Sequence, residues 1–225
     1  MFDVEPLTSW GVSTRLIGAI IMVHGDDNGL VLPPYVAPIQ VVVIPIAQQK
    51  PGVIPAAREL YKEIEEAGYR VKIDESDKTP GWKFAEYEMK GIPLRVEIGP
   101  RDIENGNVTI VKRNDGQKIT VKREEMVETI NKLIPQIHKE MYERAYRYLL
   151  EHTTEIHNLD ELNAALEKGG YAKSMWCGER ACEDKVKELT TATARCLPFN
   201  QMPIDEVCPI CGKKAKKVIL FAKAY

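Results

Sequence analysis

Apolar residues along this chain mark helices by a spacing of three and four, and strands by alternation or short unbroken runs. Near the start, Leu16, Ile17, Ile20, Ile21 and Val23 fall on one helical face, and Gly18 and Ala19 leave room for a close neighbour. The lead-in around Ser9 and Trp10 reads as a strand, and Arg15 stands at the helix start. Asp26-Asp27-Asn28-Gly29 predicts a turn, Pro33-Pro34 a stop, and the VAPIQ stretch at 36–40 a short linker. A regular alternation follows. The run from Ile39 to Ile46 predicts a buried strand. PAARELYKEIEEAG predicts a helix with Ala57, Leu60, Tyr61, Ile64 and Ala67 on its inner face and Gly68 as its stop. YRVKID, GWKFAEYEMKG and IPLRVEIG predict strand, helix and strand. NVTIVKR and KITVKR flank Asn114-Asp115-Gly116-Gln117 and predict a hairpin. Arg123 to His152 predicts a long helical region broken at Pro135. The last third predicts a helix at LDELNAALEKGG, a strand at YAKSMWC, a helix at CEDKVKELTT, a strand at ATARCLPF and a strand from KKVILF to the final residue. Strands alternating with helices imply an α/β sheet covered by helices and closed by an antiparallel hairpin.

Composition narrows the class only a little. The 225 residues are 44% hydrophobic and 28% charged, which is ordinary globular composition and argues against disordered or fibrous chains. The net charge of −2 argues against a surface uniformly coated in positive charge, but a local basic face suffices for nucleic acid. No apolar run reaches the roughly 18 residues of a bilayer span, and the first residues lack the pattern of a secretory signal. No membrane partner is therefore expected, and a cytoplasmic location is.

Five cysteines change the picture, because four of them form two close pairs. Cys177 and Cys182 make C-x4-C, Cys208 and Cys211 make C-x2-C, and 25 residues separate the pairs. In a chain without an export signal this favours metal over disulfides. Four thiolates suit tetrahedral Zn²⁺, with no position left for water, so the role is structural. Four reduced cysteines in a core is the other reading. Cys196, in an apolar strand, reads as a buried free thiol.

Arg15 follows Ser13 and Thr14 at a strand-to-helix junction, a place where a guanidinium and two hydroxyls can meet a phosphate. A capping residue followed by a surface arginine explains the same letters. The stretch PGWKFAEYEMKGIPLRVEIGPRD packs Trp82, Phe84 and Tyr87 among Lys83, Glu88, Lys90, Arg95, Arg101 and Asp102. Aromatic faces can stack on unpaired bases, while arginine and glutamate can read base edges. An amphipathic helix beside an edge strand gives the same pattern. His24, His138, His152 and His157 share no ligand spacing and read as structural or solvent-facing, with His24 the candidate exception because it is expected near Arg15. Tyr146, Tyr148, Leu149 and Leu150 read as packing.

Taken together, these segments resemble prolyl-tRNA synthetases of the archaeal and eukaryotic-like type. TSWGVSTRLIGAIIMVHGDDNGLVLPP resembles the family's motif 3, and PGWKFAEYEMKGIPLRVEIGPRD its anticodon-binding segment. The two cysteine pairs, ATARCLPF and the terminal FAKAY resemble its C-terminal zinc-binding domain. Where Ala194 stands, the family more often has a larger apolar residue. Arg95 and Glu97 also offer the R-x-E of motif 2, but their neighbours belong to the anticodon segment.

The resemblance implies three parts: a short remnant of a class II catalytic domain over 1–36, a mixed-sheet α/β anticodon-binding domain over 37–137, and a smaller α+β zinc-binding domain over 138–225. It implies that Ser13, Thr14 and Arg15 lie on ATP, which enters with Mg²⁺. It implies that Glu88, Arg95, Arg101, Asp102 and Lys118 read the two guanines of the proline anticodon, and that Cys177, Cys182, Cys208 and Cys211 hold Zn²⁺. The parent enzyme would join proline to its tRNA, as a homodimer formed mainly through the other half. This chain lacks motifs 1 and 2, so alone it is expected to be inactive and monomeric, with a buried C-terminal tail at Tyr225. The alternative is a free-standing synthetase-like module that binds tRNA or regulates without ligase activity.

Overall fold

Strand β1, Val41–Pro45, is buried along its whole length, because it runs through the middle of a sheet covered on both faces. The computed structural model describes residues 11–223, so the strand expected at Ser9–Trp10 and the tail at Tyr225 lie outside the described residues. The chain divides into two compact units, Met1–Ala145 and Tyr146–Tyr225.

In the first unit β1 is joined by β2, Val71–Ile73; β3, Leu94–Ile98; β4, Asn107–Lys112; and β5, Lys118–Lys122. The sheet order is β2-β1-β3-β4-β5. The first three strands are parallel, and β4 and β5 close the sheet as an antiparallel hairpin. Alternation sends Val41, Val43, Leu94, Val96, Val108 and Ile110 to one face. Two helices cover it there. Helix α2, Val53–Glu66, buries Ala57, Leu60 and Ile64. The long helix that follows β5 buries Ile130, Leu133, Ile134 and Ile137. The other face holds Val42 and Ile44 under α3, Pro80–Met89, whose Tyr87 and Phe84 complete a second, smaller core.

Before the sheet lies α1, Arg15–His24, which buries none of its residues. Leu16, Ile17, Ile21 and Val23 are exposed, and nothing lies within 4 Å of a Cβ built on Gly18. The expected close neighbour is thus absent among the described residues. The stretch after it is no slack linker. Val31 is buried in the main core, and Arg70 bonds the carbonyls of Pro34, Tyr35 and Ala37.

Several local expectations differ from the fold. A short helix, α4, Pro100–Asn105, follows β3 where no helix was expected. After a 3-10 turn at Arg123–Glu125, α5 runs unbroken from Met126 to Glu151 through Pro135. Core contacts on both sides of the proline, from Ile130 to Met141, outweigh the one helical hydrogen bond it removes.

The second unit has the sheet order β6-β7-β9-β8. Its strands are β6, Thr153–Glu155; β7, Tyr171–Trp176; β8, Thr193–Cys196; and β9, Lys217–Ala222. Helix α6, Leu159–Lys168, makes the crossover between the parallel pair β6 and β7, and α7, Arg180–Thr190, precedes β8. Leu162, Leu166, Val186, Ile219 and Phe221 form its core, together with Cys177, Cys182 and Cys208. Cys196 is exposed rather than buried, since β8 is an edge strand and a register shift falls between Ala194 and Cys196. Tyr148, Leu149 and Leu150 are also exposed on the last turns of α5, with the Tyr148 ring stacked on His152 at 3.8 Å.

Candidate nucleic-acid interface and metal centre

Glu88 sits in the last turn of α3, and Arg95 is the second residue of β3. The tight link between these elements brings the two side chains together. Arg95 Nη1 donates to Glu88 Oε1 at 2.9 Å, and its Nε donates to Glu97 Oε1 at 2.8 Å. The Arg95 guanidinium also lies 4.0 Å from the centroid of the Phe84 ring. Arg95 is nearly buried, whereas Glu88 keeps 42% of its side chain exposed, so the acid forms the open lip of the pair. Both line a cleft of about 330 Å³, with Tyr87, Val111, Asn114 and Asp26 among the other walls.

The sheet register adds Lys118. Arg95 pairs with Val111, and Val111 pairs with Lys118, so all three project from the same face. Two strand spacings put Lys118 about 10 Å from Arg95. Lys118 is exposed, and Thr120 and Lys122 follow it on that face by alternation. Arg101 and Asp102 stand on α4, beyond the end of β3. Asp102 Oδ2 accepts the Gly99 N–H at 2.8 Å and so caps the short helix, while Arg101 is exposed. The structure therefore joins Glu88 and Arg95 directly, sets Lys118 in their row, and leaves Arg101 and Asp102 on a separate element.

Ser13, Thr14 and Arg15 are all exposed at the first turn of α1. Ser13 Oγ accepts the Arg15 N–H at 3.4 Å, while Thr14, the N-cap residue, makes no side-chain cap hydrogen bond. His24 ends the same helix nine residues later, about 14 Å away at the helical rise, so the expected nearness to Arg15 does not hold. Burial lowers the His24 pKa, with the nearby charges of Arg144 and His138 acting in the same direction.

In the second unit, Cys177 directly follows β7, Cys182 lies in the first turn of α7, and Cys208 and Cys211 sit on a short loop before β9. Gly212, at φ 71°, turns that loop back, so that Val207 bridges Lys214. All four Sγ atoms lie within 4.8 Å of one another. Two of the separations are 3.5 Å, Cys177 to Cys182, and 3.7 Å, Cys211 to Cys177. A tetrahedron with metal–sulfur bonds of about 2.3 Å has sulfur–sulfur edges of about 3.8 Å, so the donor set fits one ion. Burial pushes the Cys182 and Cys208 thiols up, whereas the Lys213 backbone N–H pulls Cys211 down to about 7. The cluster could hold a metal ion, and binding would expel protons.

Residues 40–133 match the family described as Anticodon binding domain, and residues 159–225 match Prolyl-tRNA synthetase, C-terminal. The proline–tRNA ligase of Lachnospira eligens is 54% identical over 219 residues, which is 97% of this chain and 46% of that protein. Those of Lachnoclostridium phytofermentans and Clostridium novyi are each 52% identical over the same shares. This chain belongs to the prolyl-tRNA synthetase family. It corresponds to the C-terminal portion and spans about half the length of the curated relatives it matches. The Glu88–Arg95 pair lies inside the segment that matches the anticodon-binding family, and the four cysteines lie inside the synthetase C-terminal match.

Sequence reasoning missed three features of the candidate site. Glu97 braces Arg95, and simple alternation on β3 places both on one face. Phe84 lies against the guanidinium, which its helix position alone does not reveal. Arg113 binds Asp26 through both guanidinium nitrogens at 2.7 Å and donates from Nε to the Glu88 carbonyl at 2.8 Å. Residues 87 positions apart give no local signal for that contact. Among the described residues, no helix is long and apolar enough to cross a membrane.

Proposed function

We propose that this chain supplies anticodon recognition and a structural zinc centre to a proline–tRNA ligase. The single observation that carries the reading is the Glu88–Arg95 ion pair at the lip of the cleft, on a face that also bears Lys118. Guanine presents N1–H and N2–H₂ donors on one edge and O6 and N7 acceptors on the other. Glu88 and Asp102 accept from the donors, Arg95 and Arg101 donate to the acceptors, and Lys118 holds a phosphate or base edge. The exposure of Glu88 supports this reading, because its bond to Arg95 uses Oε1 and 42% of the side chain stays exposed.

Zinc is the ion that best suits four thiolates in closed tetrahedral coordination. Cys177, Cys182, Cys208 and Cys211 would hold it, and it would fix the loop before β9 to the start of α7. With no open ligand position, it takes no chemical step.

In the parent enzyme, proline's carboxylate attacks the α-phosphate of ATP and expels pyrophosphate, and the terminal ribose hydroxyl of the tRNA then attacks the prolyl carbonyl of the adenylate and releases AMP. No side chain acts as nucleophile, so the protein contributes alignment and charge neutralisation. Ser13, Thr14 and Arg15 are the residues of this chain assigned to the ATP wall, with Mg²⁺ entering on the nucleotide. The exposed apolar face of α1 supports their belonging to a larger catalytic domain. The parent acts as a homodimer through its other half, and this chain alone is monomeric and does not activate proline. Proline-dependent ATP–pyrophosphate exchange by the chain alone would refute that last point.

The deciding experiment is filter binding of proline tRNA against a variant with both anticodon guanines replaced. A base contact discriminates by about 1–3 kcal/mol on the protein–DNA scale, so the native tRNA binds at least about fivefold tighter. Glu88→Ala and Arg95→Ala each erase most of that preference. Equal binding of both tRNAs by the unaltered chain overturns the assignment.

A further inference from the structure

The Arg113 side chain is only 6% exposed, and every group on its fork is engaged. Its Nη1 and Nη2 hold the two oxygens of Asp26 at 2.7 Å each, while Nε donates to the main-chain carbonyl of Glu88 at 2.8 Å. Its own N–H donates to the Pro93 carbonyl at 3.0 Å, in the link between α3 and β3. Arg113 thus grips the α3–β3 corner at both ends, and that corner carries Glu88 and Arg95.

Asp26 is itself held in place. It opens a turn in which Asn28 N–H donates to its Oδ1 at 2.9 Å, and Asp26 and Gly29 exchange backbone bonds at 3.0 Å. The next residues lie directly on the same corner. Leu30 N–H donates to the Met89 carbonyl at 3.0 Å, and Leu32 N–H donates to the Gly91 carbonyl at 3.2 Å. A Cβ built on Gly29 would stand 2.7 Å from the Met89 backbone, so the approach is too close for any side chain. Hydrogen bonds to Arg113 hold the Asp26 carboxyl below its usual pKa, which keeps it ionised at neutral pH.

We propose that Arg113 is a positioning residue for base readout. It sets the place of Glu88 through the main chain, with Asp26 as the anchor that orients its fork. The inference rests on the anticodon reading proposed above. A lysine carries the charge but has no fork, so it cannot serve both Asp26 oxygens and the Glu88 carbonyl at once.

The test is the ratio of affinities of this chain for two anticodon stem-loops, one with the proline guanines and one with both replaced, read by fluorescence anisotropy. A ratio does not respond to the fraction of protein that is folded, so a purely structural role leaves it unchanged. Arg113→Lys is expected to lower the ratio about tenfold, the worth of one charge-assisted hydrogen bond. Asp26→Ala is expected to lower it in the same direction. The double variant is expected to be no worse than Arg113→Lys alone, as for two residues acting through one contact. Glu88→Gln serves as the reference. If Glu88→Gln collapses the ratio and Arg113→Lys leaves it intact, the positioning role is overturned and the anticodon reading survives. If Glu88→Gln also leaves the ratio intact, the anticodon role of Glu88 falls, and this inference falls with it.

Discussion

The hairpin that carries Lys118 and Arg113 is fastened to α5 by one buried cation, and cutting that link should loosen the hairpin by a predictable amount. Lys112 is 1% exposed, and its Nζ donates to Asp115 Oδ2 at 2.7 Å and Glu140 Oε2 at 3.0 Å. Glu140 also takes hydrogen bonds from Asn114 Nδ2 and Gln136 Nε2, both at 2.7 Å. Glu140→Gln removes the charge and keeps the shape. A hydrogen bond between charged groups contributes about 1.5–3 kcal/mol when shielded and less than about 1 when exposed. The Glu140 side chain is 36% exposed, which places the loss between these limits, at about 1–2 kcal/mol. Asp115 stays with Lys112, so the larger cost of a stranded buried cation is avoided. Amide hydrogen exchange across residues 107–122 should therefore quicken about 5–30-fold at pH 7. The pH dependence has a definite sign. Burial works against the ionised Glu140, but hydrogen bonds from Gln136, Lys112 and Asn114 outweigh it and hold its pKa below the usual value. A depressed carboxyl stabilises the fold above its unfolded pKa and loses that effect as pH falls through the folded one. The gap between wild type and Glu140→Gln should thus close in acid. Unchanged exchange at pH 7, or a gap that persists after Glu140 is protonated, would refute this account.

Three other outcomes are expected. The chain purified without chelator should carry one equivalent of zinc by elemental analysis; Cys208→Ser should lose it and speed exchange in β7 and β9, whereas a metal-free protein with unchanged exchange would remove the zinc assignment. Gly91→Ala should cost about 1–3 kcal/mol in urea unfolding, because the residue has φ 71° and its Cβ would meet the Leu30 backbone at 2.7 Å; a silent substitution would contradict that packing. Lys83→Met should cost about 3 kcal/mol, since it strands the Asp74 carbonyl and Gln48 Oε1 that the buried ammonium serves at 2.8 and 3.1 Å; an equally stable variant would show those groups find other partners.

The strands and long helices were legible because burial writes itself into the sequence as periodicity. Val41 to Ile44 form an unbroken apolar run because both faces of β1 are covered, and KITVK alternates because one face of β5 is exposed. The misses have the opposite cause. Helix α4 has six residues, with Ile103 its only large apolar side chain, too few for a period to appear. Strand β6 is three residues of TTE, made a strand by its partner β7 rather than by its own letters. Pro135 carries a strong local signal, and the surrounding core overrides it. Cys196 looked buried because its neighbours are apolar, yet an edge strand with a register shift turns it outward.

The candidate site was legible as residue types but not as a bonded arrangement, and the arrangement decides its chemistry. Glu88 and Arg95 are joined to each other at 2.9 Å, and Glu97 holds the other side of the guanidinium at 2.8 Å. A base does not have to organise them. Little side-chain entropy is left to lose when it binds, so more of each contact appears as affinity. The same bonds also limit what can bind. With Nε on Glu97 and Nη1 on Glu88, Nη2 is the Arg95 nitrogen without a protein acceptor, and Glu88 has its second oxygen. A donor nitrogen beside an acceptor oxygen matches a base edge that presents one of each within a few ångströms, as O6 and N1–H of guanine do. Adenine reverses that order on the same edge and would set donor against donor and acceptor against acceptor. In the proposed reading, discrimination therefore comes as much from repulsion of the wrong base as from attraction of the right one. Arg95→Lys keeps the charge but frees the ammonium to turn toward either order. It should bind the two loops more nearly alike while losing less total affinity than Arg95→Ala.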